Sequence, residues 1–203
     1  MPYFIKIPQH ESFPTTSIAW TSKPAVGSTN QLIKVSDIGT AGTYFIWKDS
    51  RWEPVTSDVT LAVSSTPSSI TGTTVETALA TITIPGGLMS ANGTIEVMSL
   101  WSYTNSANAK NLRLRWGSMS GSTVFAVGAT TSASCFNYCI ARNNNSTSSQ
   151  KLFAAGALGF GTSATISTPS IDTSANFNIY LTGQVASAAE TITLESYHVF
   201  YRE

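Results

Sequence analysis

This sequence predicts an all-β fold: a jelly-roll-like β-sandwich with a small N-terminal β-hairpin module and an extended arm. Three observations predict it. Helix signals are nearly absent. Thr, Ser, Val, Ile and aromatic residues dominate, and these suit the pleated, half-buried surface of a strand. About eight strand-like stretches in the later two thirds of the chain are separated by turn-rich connectors such as "PGG", "ANG" and "SMSGS". That is the pattern of a two-sheet sandwich.

Residues 1–27 read as extended and irregular, an arm suited to lying on a partner. Five of the eight prolines (Pro2, Pro8, Pro14, Pro24, Pro54) fall before residue 63, with Pro67 just beyond. Residues 31–35 read as a strand, "DIGTAG" as a turn, 43–47 as a second strand, and "KDSRW" as a tight connection to Trp52. A lone hairpin is marginal in water, so this module has to pack on something. Residues 1–63 thus form one region. The small, polar run "SSTPSSITG" (64–72) reads as a linker, and 73–203 as the sandwich.

Within the sandwich, strands are expected at 74–84, 94–103, 111–116, 123–127, 134–141, 151–155, 177–182 and 191–201. "TVETALA" (74–80) is the best helix candidate. It runs into "TITIP", where Thr81 and Thr83 alternate with Ile82 and Ile84, so period two makes the whole stretch a strand. Asn92-Gly93 reads as a hairpin turn that needs positive φ. In "LRLRW", Leu112, Leu114 and Trp116 share one face and Arg113 and Arg115 the other. The arginines then meet solvent or another subunit, with Glu96 on the preceding strand as a cross-strand partner. In the last strand, Ile192 and Leu194 lie on one parity and Tyr197, Val199 and Tyr201 on the other, with Phe200 opposing. Either a bulge shifts the register or a symmetry mate covers a second face. Arg113, Arg115, Tyr197, Val199 and Tyr201 are therefore the candidate subunit-interface residues.

The chain of 203 residues has zero formal net charge, 42% hydrophobic residues and only 11% charged ones. It can bury a core, and it has little charge with which to resist self-association. Much of its surface is expected to meet other protein. Without a basic cluster, nucleic acid is not the expected partner. No apolar run approaches the ~20 residues that span a bilayer, so no membrane insertion is expected. "MPYFIKIPQH" lacks the basic region, apolar core and cleavage site of a signal peptide.

Cys135 and Cys139 in an extended strand would share a face ~13 Å apart, too far for a disulfide, so two buried thiols are expected. The only histidines are His10 and His198. No zinc spacing exists, and His198 lies mid-strand, which suits a packed or interface residue better than a triad member. No G-x-S-x-G elbow, phosphate loop or dinucleotide fingerprint occurs. A glycosidase pair needs two converging carboxylates; Glu76 and Glu96 fall on candidate neighbouring strands, but nothing else selects them. Asn92, Asn144 and Asn145 match glycosylation acceptors without a secretory signal. No catalytic residue, metal or cofactor is expected. Trp101 and Tyr103, beside a polar loop, are the candidate ligand- or host-contact patch.

Two stretches carry a family resemblance. "ATITIPGGLMSANGTIEVMSLWSYTNSANAKNLRLRWG" (80–117) resembles a segment common in structural proteins of tailed bacteriophages, and "IKVSDIGTAGTYFIWKDSRWEPVTSDVTLA" (33–62) resembles a small module of phage tail-fibre and tail-appendage proteins. The resemblance implies a β-sandwich appendage, usually a homotrimer, whose N-terminal segment attaches to the particle, with no catalytic set. The expected protein is a short tail appendage or fibre component residing in the virion and made in the bacterial host cytoplasm. Residues 1–63 would attach it, with Tyr3, Phe4, Phe13 and Trp20 as candidate attachment residues. The expected partners are further copies of itself, other virion proteins and, at the host surface, a glycan. The alternatives are a capsid-decorating protein that binds coat subunits, and a carbohydrate-binding module.

Overall fold

The structure, a computed structural model, describes residues 14, 16–39, 41–153 and 166–203. The chain divides into two compact units, Met1–Ser57 and Asp58–Glu203.

The first unit is a four-stranded sheet in the order β1-β2-β3-β4: β1 (Ser17–Ile18), β2 (Leu32–Val35), β3 (Thr43–Lys48) and β4 (Arg51–Pro54). β1 runs parallel to β2; the other neighbours are antiparallel. The expected hairpin is therefore part of a larger sheet with its own core of Trp20, Ile33, Val35, Ile38, Phe45 and Trp52. Trp20, in a 3-10 turn at Trp20–Ser22, packs 4.9 Å from the Phe45 ring, and its backbone N–H donates to Asp37 Oδ1 at 2.7 Å. The "KDSRW" connection is as tight as expected. Asp49 and Ser50 both take positive φ (Asp49 φ 51, Ser50 φ 65). Positive φ at both central residues is the twist that such a two-residue hairpin turn requires.

The second unit holds β5 (Asp58–Ser64), β6 (Ser68–Ile70), β7 (Thr77–Ile84), β8 (Thr94–Tyr103), β9 (Lys110–Gly117), β10 (Ser122–Ala129), β11 (Ser134–Asn143), β12 (Gln150–Phe153), β13 (Ile166–Ser167), β14 (Phe177–Val185) and β15 (Ile192–Arg202). One sheet has the order β10-β9-β14-β7. The other runs β13-β12-β11-β8-β15-β5, with β6 also paired to β15. The fold is all-β. Its eight principal strands, β5-β15-β8-β11 in one sheet and β7-β14-β9-β10 in the other, exchange sheets along the chain as a jelly roll does. Between the sheets lie Ile82, Ile84, Leu112, Leu114, Trp116 and Ile179 from one, and Ile95, Val97, Trp101, Leu152, Leu194 and Tyr201 from the other. Period-two alternation produces this: the burial of β9 follows Leu112, Leu114 and Trp116 inward and Arg113 and Arg115 outward, as expected.

Several boundaries differ from those expected. The division lies at Ser57/Asp58, not at residue 63, because β5 pairs antiparallel with β15 and belongs to the larger sheet. The supposed linker 64–72 contains β6, which pairs with Ile192–Leu194. The strand expected from 74 begins at Thr77. Positions 154–155, expected as the end of a strand, lie outside the described residues.

In β15 the register shifts between Leu194 and Ser196 against β8 and between Val199 and Phe200 against β5. This bulge turns both Ile192/Leu194 and Val199/Tyr201 into the core. The two-sided pattern of this strand thus needs no symmetry mate. The Asn92-Gly93 turn also differs from expectation. Gly93 N–H bonds to Ser90 C=O at 3.2 Å, and neither residue has positive φ. Glycine serves packing there: a Cβ on Gly93 would stand 2.9 Å from the Tyr201 ring.

Two polar clusters close the sandwich. Buried Asn143 donates to Ser90 C=O (2.6 Å) and Thr173 Oγ1 (2.9 Å). Buried Gln150 donates to Asn143 Oδ1 (3.1 Å) and Ile171 C=O (2.9 Å) and accepts from Ile171 N–H (2.9 Å). Elsewhere, the "NSANAK" loop folds around its own lysine. Lys110 Nζ, fully buried, donates to Ser106 C=O (3.1 Å) and Oγ (3.0 Å) and lies 3.7 Å from Glu190, to which Ser106 Oγ also donates.

Candidate functional site

The positions singled out in the sequence do not form one site. Trp101 is completely buried: it lies on the inward parity of β8, between Cys135 of β11 and Leu194 of β15, and its indole N–H donates to Ser99 Oγ at 2.8 Å. Tyr103 is buried too, its hydroxyl 3.0 Å from both Ser132 Oγ and Ser134 C=O. Neither faces a ligand, because inward parity outweighs their place at a strand end. Trp20, expected as an attachment residue, is a core residue of the first unit. Tyr3, Phe4 and Phe13 lie outside the described residues. Val199 and Tyr201 are core, and Tyr197 is half-buried.

Arg113 and Arg115 do point away from the core, but their partner is Glu76 and not Glu96. Glu76 precedes β7 and reaches across the outer face of the smaller sheet. Arg115 Nε and Nη2 donate to its two carboxylate oxygens at 2.9 and 2.7 Å, Arg113 Nη1 donates at 3.1 Å, and Thr182 Oγ1 at 2.6 Å. The Arg115 hydrogen bond holds the Glu76 carboxyl below its ordinary value. Burial opposes this, and Thr182 and the charges of Arg113 and Arg115 add to it. A carboxylate depressed in the folded state contributes stability that is present above its unfolded value and lost as pH falls through the folded one. Glu76→Gln is therefore expected to cost about 2 kcal/mol at pH 7, for lost charge-assisted hydrogen bonds in a part-buried network. The difference in urea midpoint between variant and wild type should shrink below pH 4.5, the ordinary Glu value.

Glu96 lies on the outer face of the other sheet. Tyr138 OH donates to it at 2.6 Å and Arg202 Nη1 at 3.0 Å, while Arg202 Nε lies 2.6 Å from Asp58. Burial, then the Glu96 hydrogen bond, pushes the Tyr138 phenol up to about 12. Glu76 and Glu96 thus sit on different sheets, each committed to arginine, and do not converge as a carboxylate pair.

The thiols match expectation in part. Cys135 and Cys139 are both free and share the inward parity of β11, but only Cys139 is buried, Cys135 being half-buried near the strand's start. Burial raises the pKa of both, Cys139 to about 12. His198 packs on the sheet, its ring 3.7 Å from Phe200 and Nε2 3.0 Å from Thr60 Oγ1; burial lowers its pKa. Among the described residues no group of three or more His, Cys, Asp or Glu could hold a metal ion. None of the described helices is long and apolar enough to cross a membrane.

The feature that stands out is the outer face of the larger sheet. With the thiols inside, alternation turns Phe136, Tyr138 and Ile140 of β11 outward. They are 52, 38 and 42% exposed. Their register partners on β8 are Leu100, 43% exposed, then Met98 and Glu96. The next partners are Ser196, His198 and Phe200 on β15, and Val63, 52% exposed, pairs with His198 from β5. These positions form a largely apolar and aromatic centre across four strands, interrupted by Ser196, His198 and the Glu96 carboxylate that Tyr138 and Arg202 hold. On one side lies a hydroxyl row (Ser134, Ser102, Thr193), on the other a charged row (Arg142, Thr94, Arg202, Asp58). An apolar centre with a polar rim is the anatomy of a protein-contact surface. The available sequence signal was the pair of cysteines: two inward-facing thiols four residues apart on a strand, Cys139 buried and Cys135 half-buried, send the large residues between and beside them outward.

No protein-family model matches the chain, and no curated protein matches it. Among solved structures it is similar to VP2 of the infectious bursal disease virus subviral particle, at 10% identity and TM-score 0.26 over 90% of this chain and 44% of that one. It is also similar to a structure of infectious bursal disease virus Gx strain, at 8% identity and TM-score 0.25 over 78% of this chain and 47% of that one. The chain thus spans under half the length of either. At these TM-scores the likeness carries no argument about topology or role, and the fold rests on strand pairing alone.

Proposed function

We propose that this chain is a non-enzymatic structural protein of a bacteriophage virion, a short tail appendage attached through its N-terminal unit and exposing a trimeric jelly roll towards the host surface. The observation that carries this reading is the apolar outer face of the larger sheet in a protein of zero net charge. Such a surface is made for contact with protein. The resemblance of residues 33–62 and 80–117 to phage structural segments supports the choice of particle. The commitment of Glu76 and Glu96 to separate arginines, and of both thiols to the protonated state, supports a non-catalytic role. A sugar platform at Trp101 and Tyr103 is not part of the proposal, since both are buried.

Incorporation into particles tests the reading. A truncation that removes Met1–Ser57 leaves β5 in place and should give a folded sandwich absent from purified virions. Retained incorporation would reverse the assignment of attachment to the first unit, and absence of the full chain from virions would overturn the reading itself. Copy number separates the two virion roles: a few trimers per particle is expected of a tail appendage, and dozens to hundreds of copies would make it a capsid decoration.

A further inference from the structure

We propose that the outer face of the smaller sheet binds an acidic glycan, a saccharide bearing a carboxylate, with Arg113 as its carboxylate contact and Asn111 as a hydroxyl contact. The inference deepens the proposed function and rests on it in one respect: protein is taken to cover the apolar face of the larger sheet. The two outer faces of a sandwich point in opposite directions, so the smaller sheet then keeps its own face free.

Unused polar groups are the first reason. Register sets Asn111, Arg113 and Arg115 of β9 beside Gln184, Thr182 and Tyr180 of β14. Most planar polar groups here are committed. Glu76 takes both arginines, Arg115 also donates to Thr123 Oγ1 (2.8 Å), and Asn178 joins Thr83 to Tyr180 (2.8 and 3.2 Å). Two groups are not committed. Arg113 uses only Nη1, which donates to Glu76 Oε2 and Gln184 Oε1 at 3.1 Å; its Nε and Nη2 have no partner among the described residues. Asn111, on the same face two residues away, makes no side-chain hydrogen bond among them either. The register partners of these two on β10 are Ala126 and Gly128, and a Cβ on Gly128 would meet only Asn111 Oδ1, at 3.7 Å. The free guanidinium edge and the free amide therefore border an open stretch floored by small residues.

Charge and surface chemistry select the ligand. Two arginines share one glutamate, and β7, β9, β10 and β14 turn no other charged side chain outward, since Lys110 is buried. The face thus carries one positive charge in excess, which suits a carboxylate and is too little for nucleic acid. None of the large exposed hydrophobic residues lies on these four strands, so the apolar centre of a protein contact is missing. A guanidinium edge takes a carboxylate through two parallel hydrogen bonds. An amide offers donor and acceptor to sugar hydroxyls. The half-buried Tyr180 ring, next to Arg115 in register, gives a sugar ring an apolar body with a polar tip.

The test is calorimetric titration of the purified full-length chain with oligosaccharides of polygalacturonate and of alginate, with dextran as the neutral probe and polyphosphate as an anion without a sugar ring. Binding to at least one uronate is expected, weakened by salt, with none to dextran and much weaker binding to polyphosphate. Arg113→Gln should weaken uronate binding about tenfold or more by removing the charged fork. Gly128→Val, which fills the open stretch, should do the same. Val26→Ser, exposed in the first unit, should leave binding unchanged. Circular dichroism checks that each variant folds. Should Arg113→Gln fail to fold, Asn111→Ala decides, because it breaks no hydrogen bond within the chain and is expected to weaken binding as well. A wild type that binds neither uronate overturns the inference, as does equal binding of dextran or polyphosphate, or uronate binding indifferent to these variants. So does self-association, seen by light scattering without sugar, that Arg113→Gln abolishes, since a second copy would then cover the face. Presence in virions is measured separately: a chain found in particles that binds no uronate loses this inference alone, and a chain that binds uronate but is absent from particles loses the proposed function alone.

Discussion

Trp101→Ala is expected to cost about 3–5 kcal/mol, as large-to-small changes at a fully buried aromatic do elsewhere. The indole is sealed between β11 and β15, and its loss leaves a cavity that the flanking strands cannot close without breaking register. Ser99 Oγ would also lose the donor it now accepts from. Against a typical total of roughly 5–15 kcal/mol, such a loss takes much of the stability of the sandwich. Urea unfolding should show a lower midpoint with an unchanged slope. Trp101→Phe should recover most of it by refilling the volume. The pair also guards a functional assay: loss of host binding in the alanine variant, restored by phenylalanine, would report packing and not a sugar contact. A wild-type midpoint for Trp101→Ala would mean that this side chain is not in the core.

Asn143→Ala should cost about 3 kcal/mol, although it removes no apolar packing. Its amide is the hub of a buried set in which every donor and acceptor is used: Ser90 C=O and Thr173 Oγ1 receive its two protons, and Gln150 donates to its oxygen. Deleting the hub strands several buried partners at once, and each orphan costs about 1–3 kcal/mol unless water replaces the bond. Gln150→Ala strands Asn143 and the backbone of Ile171 in turn. The double variant should be markedly less destabilised than the sum of the two, because each single change already breaks the shared bond. Additive losses would show that the two amides act independently. The network ties the end of β11 and the start of β12 to residues 171–173, so hydrogen exchange in those segments should rise together.

How much of this was legible differs from strand to strand. In β9 the alternation of Leu112, Leu114 and Trp116 with Arg113 and Arg115 is confirmed residue by residue, because polar and apolar residues there differ in kind. In β11 the same rule, applied to size and hydropathy, would turn Phe136, Tyr138 and Ile140 inward. The structure turns Cys139, Ala141 and Asn143 inward instead. There register against β8 decides, and the correct parity was encoded only in the expectation that the thiols are buried. Trp101 and Tyr103 failed as a ligand patch for the converse reason: a strand end beside a polar loop says nothing about which face is covered.

From residue types and spacing alone came the all-β class, the jelly-roll architecture, the tight turn at Asp49-Ser50 and the inward face of β9. These are local properties, set by side-chain alternation and backbone preference within a few residues. Tertiary structure alone decided that β5 belongs to the larger sheet, that a bulge reconciles the two parities of β15, that Glu76 is the partner of both arginines, and that an aromatic sheet face is left outside. Each depends on which distant segment lies alongside. Strand pairing is chosen by the energy of the assembled sandwich, and a one-residue slip reverses every side chain at no local cost.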